Sequence, residues 1–244
     1  VNYLEIDKTK PANELPILMT TSINSTNAFW NYKTKIKTIT FEDSINVPDN
    51  AFKSWDVSST GNGMVMAYIK TSASDSSYYD LYIQGDGRIY ANPNSSYLFY
   101  GFSYLDKINN IELLNINRVT NMESMFYNTG NESETFKLDL GDEFDTSNVT
   151  NMKRMFLYTG RTSKEFTLDL GDKFNTSKVT NMNSMFWGAG YSSPAFTLDL
   201  GDKFDTSKVR DMAHMFSSVG YSNPSFKLNL GEKFDTSNVT NMSG

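Results

Sequence analysis

The 244-residue chain has no cysteine and a single histidine, His214. The first absence excludes disulfides, iron–sulfur ligation, thiolate zinc sites and a cysteine nucleophile. The second excludes multi-histidine metal sites and disfavours histidine-based catalytic pairs. Basic residues are also short: 22 against 28 acidic ones, a formal charge of −6. That balance leaves no electrostatic footprint for nucleic acid. No stretch approaches ~18 uncharged apolar residues, so no segment is expected to span a membrane. The first residues, Val1, Asn2, Tyr3, Leu4 and Glu5, lack a basic and then apolar leader, so any secretion signal is expected outside this segment. At roughly 100–200 residues per domain, the length suits one or two domains with a sizeable core. Against these absences stand twelve methionines and seventeen phenylalanines.

Position accounts for them. Met122/Met125, Met152/Met155, Met182/Met185, Met212/Met215 and Met242 recur every 30 residues. Phe126, Phe136, Leu138, Leu140, Gly141, Phe144 and Val149 each head a column with the same step. Self-similarity at a fixed step of 20–50 residues marks a stack of coils in which neighbours cover one another's cores. Each unit reads as one strand and one helix. Phe166, Leu168 and Leu170 alternate with polar residues, as on one face of a short strand. Thr176 and Ser177 offer hydroxyl N-caps, and Val179, Met182, Met185 and Phe186 fall on one helical face. Gly190 stands where a glycine would end that helix. The expected fold class is therefore an α/β repeat solenoid with one strand and one helix per 30-residue coil, the strands forming a parallel sheet. Helices pack ~8–10 Å apart and strands ~4.8 Å, so the stack is expected to curve with the sheet inside.

Residues 1–110 do not repeat. Lys35 to Phe41, Gly63 to Ile69 and Tyr79 to Ile83 are β-prone, and Gly85-Asp86-Gly87 is a turn signal. This region reads as a β-rich module capping the first coil. Residues 111–244 read as about four repeats of an array truncated at its C-terminal end, since Asn241-Met242-Ser243-Gly244 lies inside a predicted helix.

The segments Phe204-Asp205-Thr206-Ser207-Lys208-Val209 and Phe234-Asp235-Thr236-Ser237-Asn238-Val239-Thr240-Asn241-Met242 resemble the signature of BspA-type leucine-rich-repeat bacterial surface proteins. Ile39-Thr40-Phe41, Trp55-Asp56-Val57-Ser58 and the stretch from Ala91 to Phe99 are similar to that family's leader. The resemblance implies a leucine-rich-repeat-like fold and an extracellular place at the bacterial surface, wall- or lipid-anchored through segments outside this one. It implies adhesion as the activity, with a host matrix protein or glycan, or another surface protein, as partner, and no catalytic residues. The coil is longer than the family's common form, with extra residues between Phe126 and Phe136.

Four copies in one chain separate constant scaffold columns from variable ones. The variable run after the predicted helix carries Tyr127, Tyr158, Trp187, Tyr191 and Tyr221, an aromatic stripe suited to protein or glycan contact. The alternative is that these rings only cover helix ends. Carboxylates also fall in columns: Asp139/Asp169/Asp199, Asp142/Asp172/Asp202/Glu232 and Asp145/Asp205/Asp235 with Asn175 between. Like charges in register repel, and calcium at Asp142, Asp172 and Asp202 would relieve them. Lys173, Lys203 and Lys233 could do so instead, with Asp145-type residues capping helices. Asn121, Asn151, Asn181, Asp211 and Asn241 form a ladder expected to bond adjacent coils through their side chains. His214 shares a slot with Ser124, Arg154 and Ser184 and is expected to be exposed. No cofactor is expected apart from the calcium option, and no nucleic acid partner. The functional expectation is a non-enzymatic binding module, with a ligandless stalk or spacer as the alternative.

Overall fold

Apolar–polar alternation carries the first part of the chain into strands. The computed structural model describes residues 11, 14–19 and 28–244, so residues 1–5 lie outside it. Strands β1 (Ile36–Glu42), β2 (Lys53–Asp56), β3 (Val65–Thr71) and β4 (Tyr79–Gly85) begin a seven-stranded mixed sheet. β2, β3 and β4 pair antiparallel, while β4 lies parallel to β1. Ile39 and Phe41 of β1, Val65 and Ile69 of β3, and Leu81 and Ile83 of β4 are all buried in one core. Short β5 (Ile89–Tyr90) pairs with β7 (Leu114–Asn115).

The same sheet runs on through β6 (Lys107–Asn109), β8 (Thr135–Asp139) and β9 (Glu165–Asp169), each parallel to the strand before it. Its order is β2-β3-β4-β1-β6-β8-β9, so the repeat strands extend the N-terminal sheet edge-on. β10 (Leu198–Asp199) and β11 (Leu228–Asn229) pair in parallel further along. Phe136 stands opposite Phe166 and Leu138 opposite Leu168, so one sequence step of 30 is one coil.

The expected helix in each coil is absent. Helical structure among the described residues is confined to 3-10 segments such as Ala28–Lys35 and Ile111–Leu113. The stretch with Val179, Met182, Met185 and Phe186 is a run of turns. The backbone explains why. Ser124, Arg154, Ser184 and His214 have φ of 55–57°, and Asn128, Tyr158 and Ser218 four residues on have φ of 54–56°. Left-handed residues at that interval break a right-handed helix. The N–H groups of Met122, Ser124, Phe126 and Asn128 donate to Asn151, Lys153, Met155 and Leu157 of the next coil, at 2.9–3.0 Å. Met125, Tyr127 and Thr129 donate three residues back within their own coil. A helix keeps every such donor for itself; here alternate ones bind the neighbour.

The distance between coils also excludes helices. Phe126, Phe156, Phe186 and Phe216 stack face to face with centroids 5.5, 5.3 and 5.9 Å apart. On the strand side Phe136, Phe166, Phe196 and Phe226 step by 5.6, 4.7 and 5.8 Å. Helices cannot pack at that separation. Both walls rise equally, which removes the ground for the expected curvature. The α/β, leucine-rich-repeat-like description is thus replaced by a β-rich fold whose coils are strand and turn ladder.

Two other expectations change with it. Thr176, expected at an N-cap, donates its hydroxyl to the Asp205 carbonyl (2.8 Å), and Thr146 in the same column donates to the Asn175 carbonyl (2.8 Å) and accepts the Asn175 N–H (2.7 Å). Thr206 does the same with Asp235 (2.8 and 2.6 Å), so these buried hydroxyls clamp neighbouring coils. In the asparagine ladder, the side chains of Asn121, Asn151, Asn181 and Asp211 accept the N–H two residues on, each at 3.0 Å. They shape turns in their own coil; across coils the Asn151 amide donates to the Glu123 carboxylate at 3.4 Å and the Asp211 carboxylate accepts from the Asn183 amide at 3.2 Å, while the backbone adds parallel bridges from Asn121 through Asn241.

The turn ladder begins at Asn94, which bridges Asn121. Ser95, Tyr97, Phe99 and Gly101 donate to Asn121, Glu123, Met125 and Tyr127, and Phe99 stacks on Phe126 at 5.3 Å. That first step is 27 residues.

Candidate functional site

The edge where each turn ladder ends carries the aromatic residues. Tyr127 packs on Tyr158 at 6.2 Å, and Tyr158 on Trp187 at 6.0 Å. The row of rings continues in both directions, through Tyr100 (5.0 Å from Tyr127) to Tyr97 (5.7 Å), and from Trp187 to His214 at 5.2 Å. Tyr191 and Tyr221 form a second row, nearly parallel at 5.1 Å. All these rings are half-buried except Tyr221, which is 70% exposed.

The first row weaves because its columns alternate. The residue aligned with Tyr127 in the next coil is Leu157, which turns inward and is 6% exposed. Tyr158 presents the ring there instead. One coil on, Tyr158's column holds Gly188, where a Cβ would lie 2.4 Å from Cδ1 of the Tyr158 ring. Glycine at that position makes the room the ring occupies.

Cations join the rings. The Lys33 Nζ lies 4.5 Å from the Tyr100 centroid, and burial holds its pKa below the usual lysine range. The Arg161 Cζ lies 4.9 Å from the Tyr158 centroid and 5.3 Å from that of Tyr191, bridging the two rows. Burial raises the Tyr127 phenol, reinforced by Tyr100 and Tyr158 and opposed by the positive charge of Arg154.

All five stripe residues therefore lie on one edge, in two rows joined by Arg161. Sequence reasoning missed Tyr97 and Tyr100, which the 27-residue first step takes out of the 30-residue frame. It also missed Arg161, which shares a column with Tyr191 and Tyr221 but not their chemistry. His214 was expected to be exposed; it is half-buried against Trp187, because its left-handed slot turns the side chain onto the neighbouring ring.

The carboxylate columns have local work. Asp139, Asp169 and Asp199 accept the N–H groups of Gly141, Gly171 and Gly201 at 2.8–3.0 Å, closing the turn after each strand. The hydroxyl and N–H of Ser207 hold Asp205 below its ordinary pKa. Lys173 pairs with Glu143 at 3.0 Å. Asp142, Asp172 and Asp202 are not drawn together, and among the described residues no three potential ligands converge on a metal position. Melting curves in millimolar calcium and in excess chelator are expected to share one midpoint. A calcium-dependent rise would return those three aspartates to the site, since a ligand that binds only the folded state raises its stability.

A concavity of about 590 Å³ opens beside β1 and β3. Its polar groups bond one another: Gln84 donates to Glu42 (2.6 Å) and to the Asn46 carbonyl, and accepts the Asn46 N–H. Burial and the adjacent Glu42 push the Tyr68 phenol there up to about 12. Gln84, Glu42 and Asn46 are thus engaged with one another, and the aromatic edge is the stronger candidate. No helix among the described residues is long and apolar enough to cross a membrane.

The family described as "Mycoplasma protein of unknown function, DUF285" matches residues 94–224 and again 192–244. The first match starts at the residue where the turn ladder starts. No curated protein and no solved structure matches the chain.

Proposed function

We propose that this chain, which belongs to the DUF285 family of Mycoplasma proteins, is a non-catalytic adhesion module of the bacterial surface. Its contact face is the aromatic edge. The observation that carries this reading is the row of rings from Tyr100 to His214, built on successive coils at positions the buried core does not require. Aromatic rings give large contact area at low entropy cost, and a row of them sums many modest contacts. The similarity of the segment from Phe234 to Met242 to BspA-type surface proteins supports an extracellular location, with anchoring outside this segment. The partner class is a host matrix protein or glycan, or another surface protein.

Replacement of Trp187, Tyr191 and Tyr221 by Ala is expected to lower adhesion of the full chain to host cells at least tenfold. Tyr221→Ala alone should leave the melting midpoint within a degree or two, because that ring is mostly in water. Adhesion unchanged by the triple substitution would assign the coils to a spacer that merely projects another domain.

A further inference from the structure

The cations set into the aromatic edge narrow the class of partner, provided that the edge is the adhesion face proposed above. Ion pairs among the described residues are Lys37–Asp106, Arg88–Glu143, Lys153–Glu123, Lys164–Glu134 and Lys173–Glu143. Neither Arg154 nor Arg161 is in one, and both are exposed. Glu123 is held by Lys153 at 3.7 Å and Glu134 by Lys164 at 2.7 Å, so of the carboxylates in the runs around Arg161 only Glu132 and Glu165 stand outside an ion pair among the described residues. The aspartate columns lie beyond the strand, at the glycine turns. A chain of net charge −6 thus carries a locally positive edge, and the positive groups lie over or beside ring faces.

We infer that the ligand of this edge is an anionic glycan, its sugar rings laid along the aromatic rows and its carboxylate or sulfate groups held by Arg161, with Arg154 and Lys33 in support. Three features fit such a ligand. The half-buried rings show their outward parts at steps of 5.0–6.2 Å, an apolar and hydroxyl-bearing track along which a sugar chain can lie. An extended β-linked chain repeats at close to one coil thickness, so successive sugars meet successive coils. Arg161, stacked between Tyr158 and Tyr191, points its fork from a fixed platform, which suits two-point capture of an oxyanion better than a mobile lysine would. A neutral glycan would use the rings and leave these charges idle. A single-stranded nucleic acid shares the stacking and the charge, and the oligo-dT arm of the test below separates it from a glycan.

The test measures binding of the full chain to four probes: hyaluronan oligosaccharide for carboxylate, heparin oligosaccharide for sulfate, neutral cellohexaose, and oligo-dT. Preference for either anionic saccharide, weakening as salt rises from roughly 0.05 to 0.5 M, is expected. The stronger of the two identifies the acid group. Arg161→Gln keeps the coil, since its side chain is exposed, and is expected to cost about tenfold on the anionic saccharide and clearly less on cellohexaose. Trp187→Ala should weaken both. Equal binding of neutral and anionic saccharides, stronger binding of oligo-dT, or no effect of Arg161→Gln overturns the anionic-glycan assignment. If host adhesion nevertheless falls in the triple alanine variant, the adhesion reading survives with another ligand. If it does not fall, both fail together.

Discussion

Gly171→Ala is expected to destabilise the chain by about 2–5 kcal/mol, whereas Gly201→Ala, in the same column, costs only about 1–2. Both glycines have left-handed backbones, with φ of 73° and 72°, so alanine meets the same conformational penalty at each. They differ in what a methyl would touch. At Gly171 it would lie 2.1 Å from the backbone carbonyl oxygen of Gly141 in the preceding coil; at Gly201 nothing stands within 4 Å. A backbone oxygen cannot swing aside as a side chain can, so the two coils must separate along their turns. At roughly 2–4 °C per kcal/mol for a chain of this size, Gly171→Ala should lower the melting midpoint by about 4–20 °C. Equal losses for the two variants would mean that conformational strain alone sets the cost, and that the coils do not meet at their glycine turns.

That glycine column was visible in the sequence, but its role was not. The periodic residues named the core well: eight methionines from Met122 to Met215 are buried, while Met242, in the last coil, is 60% exposed. The step of 30 also named the register, as the pairing of Phe136 with Phe166 shows. What failed was the inference from spacing to helix. A turn ladder that buries Met122, Met125, Phe126 and Thr129 imitates a helical stripe over two turns. The composition of Asn181-Met182-Asn183-Ser184-Met185-Phe186-Trp187-Gly188 pointed the other way, since Asn, Ser and Gly are weak helix formers. So did the polar residue at the Ser124 and Ser184 slot, which is buried yet left-handed. On the candidate site, the five ring positions were legible because they vary where the scaffold does not. Tyr100, His214 and Arg161 were not, since their roles arise from ring contacts between columns that the 30-residue frame keeps apart.

The second large effect tests the stack where it is deepest. Phe186 is fully buried between Phe156 at 5.3 Å and Phe216 at 5.9 Å, nearly parallel to both, with Phe204 at 6.4 Å on its flank. Phe186→Ala is expected to cost about 3–5 kcal/mol, from lost transfer free energy and a cavity that rings on both sides cannot collapse to fill. Phe216→Ala removes the same atoms from a half-buried position and should cost clearly less. Denaturant midpoints of the two variants measure the difference. Amide exchange adds the mechanism: the N–H of Phe156 donates to Met185 and that of Phe186 to Met215, so loosening the Phe186 layer should expose donors on two coils together. A helix in each coil would confine the loss of protection to residues around 186, because its donors would be satisfied within the coil. Protection lost in step at Phe156 and Phe186 is the result expected of coils held to one another by their own backbones.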